Sequence, residues 1–207
     1  MYNRIAGKNL ERIAALSDGL FAIAMTLIVL EIHVPAASAI HGEADLAHAL
    51  FALAPRIVMY LTSFLALGIF WVGQQTQLNH LAEADRDLTW IHLAFLAAVA
   101  VMPFSTELLG EFITYRTAML VYWANVLLLG LTLYWSWVHA RRARLIKRDA
   151  PAGLSTAIMR RIVIAQSLYA LGMALCIMST YLSIAFIFLV QLNYAIAPRI
   201  RGMGASS

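Results

Sequence analysis

Six runs of apolar residues, each long enough to cross a lipid bilayer, dominate this sequence. A spanning helix needs about 20 mainly apolar residues. We place the runs at residues 12–33, 52–73, 89–107, 117–138, 160–178 and 180–197. The last two come from one apolar stretch that is too long for a single crossing, and we divide it at Ser179-Thr180. Only 13% of the residues are charged, against about 25% in soluble domains. The sequence therefore predicts an all-α integral membrane protein, with six transmembrane helices in one domain over residues 1–207.

The positions of Lys and Arg predict how the chain is oriented. If the N-terminus is cytoplasmic, the outer side holds only Arg56 and Arg116, and every other Lys and Arg lies on the inner side. Cytoplasmic loops of membrane proteins carry an excess of these residues. We therefore predict that the N- and C-termini are both cytoplasmic. The basic run 141–148 is expected to be a solvated loop that touches anionic lipid head groups, and the tail 202–207 is expected to be disordered.

Two polar residues open the first predicted span. Ser17 and Asp18 lie about one and a half turns inside it. An acidic side chain within a span is unfavourable and usually faces other helices. We expect Asp18 to find a partner on a neighbouring helix, the alternative being that it lies at head-group depth and only caps the helix or snorkels. The candidate partners are Gln74, His80 and His92, near the predicted cytoplasmic ends of the second and third spans.

Bulky aliphatic residues form a stripe along the same helix. At about 100° per residue, Ile23, Leu27 and Leu30 fall on one narrow face, and Thr26 borders it. Such a stripe is common in ordinary helix packing. The spacing alone therefore does not indicate a pore.

The first span also carries a recognisable motif. It reads Arg12-x-x-x-Leu16-Ser17-Asp18, followed by Ala22-Ile23-Ala24-x-Thr26-Leu27-x-Val29-Leu30-Glu31-Ile32-x-x-Pro35. This string resembles the signature first helix of the lysosomal and bacterial potassium channels of the transmembrane-protein-175 type. Later segments are also similar to that family, namely Trp71 after Ser63-Phe64, Trp90, Leu93–Leu96 and Pro103-Phe104-Ser105-Thr106, so the resemblance covers about residues 12–107. The sequence departs from the family pattern at Leu16, which replaces Phe, at Gln74, which replaces His, and at His92, which replaces Asn.

The resemblance implies a fold and a mechanism. Bacterial members have six spans and assemble as homotetramers in which the four first helices line a central pore. Carried onto this chain, the constriction is a ring of Ile23, with Leu27 and Leu30 toward the outside and Thr26 as a hydroxyl layer. A structural polar motif is assigned to three residues, Arg12, Ser17 and Asp18. The expected activity is that of a cation channel that prefers K⁺ over Na⁺ and needs no cofactor, in a bacterial inner membrane, with lipids and further copies of the chain as partners.

The residues present are compatible with that mechanism. No TVGYG-like string occurs, so a filter of backbone carbonyls is not expected. A ring of aliphatic side chains blocks ions by dewetting when it is narrow and admits them when it widens. Since apolar side chains cannot replace the hydration shell of an ion, the K⁺ preference should be weaker than in carbonyl-filter channels.

Other classes of function are less well supported by the residues. The densest set of metal-ligand types is His41-Gly-Glu43-x-Asp45-x-x-His48, which reads as a hydrophilic outer loop, so we expect neither an enzyme nor a metal site. A secondary transporter is the main alternative, although such folds tend to have internal repeats and helices broken by Gly or Pro. A scaffold role in the membrane also stays open. The basic pI of 9.5 follows from the inner loops and does not indicate nucleic-acid binding.

Overall fold

The computed structural model describes residues 9–196, and the regular elements in this range are helices. They are α1 (Leu10–Leu30), α2 (Glu43–Ala52), α3 (Ala54–Asn79), α4 (Arg86–Glu111), α5 (Arg116–Arg142), α6 (Leu154–Leu175) and α7 (Thr180–Ile196), with a short 3-10 turn at Ala37–Ala39. Residue 197, the predicted end of the last span, and the predicted tail 202–207 lie outside the described residues.

Five helices are long and apolar enough to cross a membrane: α1, α3, α4, α5 and α6. The apolar helix α7 is shorter, with 17 residues. At 1.5 Å per residue it is about 26 Å long, against about 30 Å for a bilayer core. The architecture is therefore an all-helical membrane protein, as the apolar runs predict.

The segment 34–51, predicted as an outer loop, is partly helical. Helix α2 begins after Gly42, and its first turn carries Glu43 and Asp45, whose charges suit the positive end of a helix. Asp45 Oδ2 also accepts a hydrogen bond from the His41 backbone N–H at 3.0 Å. Every residue of α2 is at least partly exposed, so the helix is supported by these charges and by the hydrogen bond between Asp45 and His41, and not by a buried face. A helix of this kind has no long apolar run that would indicate it in the sequence.

Helix α6 is also displaced from its predicted span of 160–178. It begins at Leu154, directly after Gly153, whose φ of 85° is a left-handed conformation that favours glycine. It ends at Leu175, where the Ser179 N–H donates to the Leu175 carbonyl at 3.1 Å and closes the turn into α7. The predicted span begins at residue 160, at a pair of Arg residues. Basic side chains do not end a helix, and the helix extends past them toward its N-terminus.

Helix α4 lies among α1, α3 and α5 and contacts all three. Helix α1 buries one face against α3 and α4, with Phe21, Ala24 and Ile28 at the contact. The centroid of the Phe21 ring lies 5.9 Å from the centroid of the Phe95 ring of α4. Lipid tails are as apolar as these side chains, so close packing stabilises the contact more than exclusion of water does.

The loop between α3 and α4 is joined to the end of α5 and to the loop between α5 and α6. His139 Nε2 lies 2.8 Å from a carboxylate oxygen of Asp85, the residue that caps α4. The Lys147 backbone N–H donates to the His80 carbonyl at 3.0 Å, and Leu81 pairs with Ile146 in an isolated β-bridge. These contacts fix the direction in which the chain leaves α5 and enters α6.

Helices α6 and α7 approach closely at Gly172. The Ser183 hydroxyl donates to the Gly172 carbonyl at 2.6 Å. A Cβ at Gly172 would lie 2.6 Å from Cγ1 of Ile187, well inside van der Waals contact. This pair of helices therefore depends on a glycine at position 172.

Substitution of Gly172 is expected to weaken the α6–α7 contact. We expect Gly172→Ala to destabilise the protein by about 1–3 kcal/mol through overpacking, measured as a lower thermal midpoint in detergent. Gly68→Ala is the control, because a Cβ there would meet only Met25 Cε, at 3.8 Å. If both variants melt like the parent, the close approach at Gly172 is wrong. Adding Ile187→Ala, which removes the clashing Cγ1, should restore part of the loss.

Candidate functional site

The polar motif of α1 is bonded to α3. Ser17 is fully buried, and its hydroxyl donates to the Ile13 carbonyl at 2.8 Å. The same oxygen accepts a hydrogen bond from Gln74 Nε2 at 2.9 Å. The Ser17 hydroxyl thus donates its hydrogen within α1, and a lone pair of its oxygen accepts the hydrogen bond that joins α1 to α3.

Asp18 is bonded to α3 as well, through two donors. Its Oδ1 accepts from Trp71 Nε1 at 2.8 Å and from Gln75 Nε2 at 2.7 Å. These donors are one helical turn apart and therefore face α1 together. Hydrogen bonds to an ionised carboxylate are shorter and stronger than neutral ones, so this is the strongest polar contact between α1 and α3.

The candidate partners of Asp18 have other contacts. Gln74 reaches Ser17 and not Asp18. His80 Nδ1 lies 2.7 Å from the Thr76 carbonyl, and His92 Nδ1 lies 3.0 Å from the Leu88 carbonyl, so both rings bond to their own helices. The expected partners of Asp18 are therefore replaced by Trp71 and Gln75. In the sequence, Trp71 is indicated only by the family resemblance, although its spacing of four residues from Gln75 is a usable signal.

The opposite face of α1 is exposed and aliphatic. Ile23 is 57% exposed, Leu27 43% and Leu30 67%, whereas Ile28 on the packed face is 0% exposed. Leu16, about two turns before Ile23, is 49% exposed and continues the stripe toward the N-terminus. Arg12 is exposed on the same side at the start of the helix. The family pattern does not indicate this position for Leu16, because Leu16 departs from that pattern.

Thr26 lies on the exposed side with its hydroxyl turned to its own backbone. Its Oγ1 is 2.8 Å from the Ile23 carbonyl and 3.0 Å from the Ala22 carbonyl. A hydroxyl has one hydrogen and two acceptor lone pairs. Because the hydrogen is directed to these carbonyls, the lone pairs of the oxygen are available to a cation or to water.

An acidic cavity lies at the C-terminal end of α1. It has a volume of about 250 Å³ and is lined in part by Glu31, Arg56, Glu107 and Glu111. Arg56 forms an ion pair with Glu111. Burial raises the pKa of Glu31, and the nearby charge of Glu107 raises it further. Three carboxyl groups and one guanidinium give this end of the molecule a net negative field.

The comparisons with known proteins point to one family, whose members carry the names of potassium channels and proton channels. Residues 12–103 match the sequence profile of the family described as the endosomal/lysosomal potassium channel TMEM175. A Streptomyces collinus protein named as a potassium channel is 35% identical over 190 residues, which cover 88% of this chain and 90% of that protein. The human protein named endosomal/lysosomal proton channel TMEM175 is 31% identical over 107 residues, which cover 49% of this chain and 21% of that protein.

A solved structure has the same fold. The crystal structure of a lysosomal potassium-selective channel TMEM175 homolog from Chamaesiphon minutus superposes with a TM-score of 0.79, at 31% sequence identity, over 90% of this chain and 96% of that one. The family consists of channels and requires no enzymatic site or cofactor, and residues 9–196 contain no group of side chains that could hold a metal ion. With its helical architecture, its first-helix motif and these similarities, the chain belongs to the TMEM175 family of channels.

Proposed function

We propose that this protein is a potassium-preferring cation channel formed by four copies of the chain. Each copy contributes six spans, α7 being the sixth, and has both termini in the cytoplasm of a bacterial cell. The four α1 helices surround the pore. The family relationship supports this proposal, as does the potassium-channel name of the Streptomyces relative.

The observation that carries the proposal is the exposed aliphatic face of α1. Ile23, Leu27 and Leu30 point away from the rest of the protomer, although α1 packs firmly on its other face. Around a shared axis, these side chains form successive apolar rings in which Ile23 is the constriction. Because α1 is continuous from Leu10 to Leu30, its carbonyls are bonded within the helix and an ion meets only side chains.

Ion preference then depends on the layer beside the ring. Apolar side chains offer no ligand to a cation, so an ion crosses the constriction with most of its water. The Thr26 oxygens, with their hydrogens directed to the backbone, offer weak ligands about 4.5 Å farther along the helix axis. The acidic cavity with Glu31 and Glu107 at the outer end raises the local cation concentration. This arrangement favours cations and gives only a modest preference for K⁺.

Flux measurements on the reconstituted protein test the proposal. Proteoliposomes with a K⁺ gradient should lose it at a rate that rises linearly with concentration, and Na⁺ should cross more slowly. Flux that saturates or requires a second ion would favour a secondary transporter. A parallel assay with a pH gradient tests proton passage, which the name of the human relative suggests. The absence of both K⁺ and proton flux would contradict the channel.

Small residues beside the aliphatic stripe support the assembly. Ala15, Gly19 and Ala22 lie on the exposed side of α1, and a Cβ at Gly19 would meet no atom of the protomer within 4 Å. Packing within the protomer therefore does not require a glycine there. Small residues allow helices in membranes to approach closely, as four copies of α1 around one axis must do.

Gly19→Leu is expected to disrupt the tetramer and to leave the protomer folded. Leu is a better helix former than Gly by about 1 kcal/mol, so the protomer itself should not be destabilised. Native mass spectrometry in detergent should show the tetramer–protomer equilibrium shifted by at least about tenfold, equivalent to about 1.4 kcal/mol. Gly110→Leu is the control, since a Cβ at Gly110 also meets nothing. Intact tetramers of the Gly19 variant would show that α1 does not lie at the shared axis.

A further inference from the structure

A groove between the end of α5 and the start of α6 combines apolar walls with two guanidinium groups. It has a volume of about 440 Å³ and is lined by Tyr134, Val138, Arg141, Arg142 and Met159. The two Arg side chains are exposed, and the other three are partly buried. The groove is open to the surroundings of the bundle and lies at the end where α1 begins.

The segment from the end of α5 to the start of α6 carries mostly positive charge. Residues 139–161 contain seven Lys and Arg residues and a single acid, Asp149. Within residues 9–196, neither Arg141 nor Arg142 forms a salt bridge, and Arg141 Nη1 lies 2.9 Å from the sulfur of Met159, a weak acceptor. The negative end of α5 favours cations at this place, but it leaves most of the ten N–H donors of the two Arg side chains without an acceptor.

The shape of the groove separates its polar and apolar parts. Tyr134 and Arg141 lie about two helical turns, or about 10 Å, apart along α5. A phosphate can reach both guanidinium groups at the end of the groove that Arg141 and Arg142 form. Bidentate contacts between Arg and phosphate are strong. The rest of the groove, between Val138 and Met159, offers no polar ligand and suits the first carbons of an apolar acyl chain. An occupant that satisfies both parts has an anionic head and a hydrocarbon tail.

We propose that this groove binds an anionic phospholipid of the cytoplasmic leaflet. Its phosphate lies between Arg141 and Arg142, and one acyl chain descends along Val138 and Met159 beside the Tyr134 ring. The proposal rests on the orientation proposed above, in which α5 ends in the cytoplasm, and does not depend on ion conduction. The join between the two loops, through His139 and Asp85, holds the end of α5 in place beneath the site.

Lipid titration of the purified tetramer tests the site. Bound phosphatidylglycerol is counted by native mass spectrometry, with phosphatidylcholine and glycerol phosphate as comparison ligands. Phosphatidylglycerol should bind to the parent more tightly than phosphatidylcholine, and glycerol phosphate should not displace it. The variant Arg141→Gln/Arg142→Gln should bind roughly 30-fold more weakly, at about 1 kcal/mol per basic residue.

A matched variant separates the groove from the overall charge. Arg144→Gln/Arg148→Gln removes the same charge from the neighbouring loop, where both side chains are exposed, and should change the affinity less than about threefold. Equal losses in the two variants would mean a diffuse basic surface and would overturn the site. Displacement by glycerol phosphate would identify a phosphate site that does not hold lipid. If the Arg141 variant fails to fold, the comparison of ligands on the parent still decides, and because no flux is measured the result is independent of channel activity.

Discussion

Ile23→Asn is expected to raise the K⁺ flux of the reconstituted protein by about tenfold or more and to reduce its preference for K⁺ over Na⁺. In the proposed pore, four Ile23 side chains form a narrow ring that water wets poorly. Four amides in their place hold water in the constriction and lower the barrier to ions. A reduction of about 1.4 kcal/mol is sufficient for a tenfold increase in rate. The measurement is K⁺ and Na⁺ efflux from proteoliposomes at equal protein content.

The control for this experiment is Leu128→Asn. Leu128 lies near the middle of α5 and is 48% exposed, similar to Ile23, but it belongs to a helix that does not line the proposed pore. It should leave the flux unchanged. If Ile23→Asn conducts like the parent, or if both variants leak equally, Ile23 is not at the constriction and the pore must be assigned elsewhere.

The aliphatic stripe shows what can be inferred from the sequence of α1. Helical periodicity places Ile23, Leu27 and Leu30 on one face, and the structure leaves that face exposed on the protomer. Periodicity cannot tell which of two apolar faces packs inside, because Phe21 and Ile28 are as apolar as the residues of the stripe. In a membrane both faces meet apolar surroundings, so the distinction comes from tertiary packing alone.

The polar contacts and the short helices were harder to predict. The sequence indicates that Asp18 needs a partner, but Trp71 and Gln75 are selected by how α1 and α3 are rotated against each other, which depends on many packing contacts. Helix α2 forms in an exposed segment through the charges of its first turn, and α6 begins before its predicted span, at Leu154. Hydropathy predicts elements that cross the bilayer and gives little information on those beside it.

Asp18→Ala is expected to impair folding and assembly much more than ion selectivity. The change leaves the donors Trp71 Nε1 and Gln75 Nε2 without their acceptor and removes the strongest polar contact between α1 and α3. Hydrogen bonds to charged groups contribute about 1.5–3 kcal/mol each. Since Asp18 is exposed on the protomer, we expect about 2–4 kcal/mol in total. The thermal midpoint of the detergent-purified tetramer and the yield of assembled protein should both fall.

Asp18→Asn separates the charge of this residue from its geometry. The amide oxygen of Asn keeps two lone pairs, enough to accept from both donors, so only the charge assistance is lost and the loss of stability should be intermediate. Trp71→Phe combined with Asp18→Ala should cost less than the two separate changes together, because the two side chains share one contact. The ratio of K⁺ to Na⁺ flux per surviving tetramer should match the parent in all these variants. A changed ratio in Asp18→Asn, with normal stability, would place this carboxylate in the ion path and would mean that the bonds to α3 are not its main role.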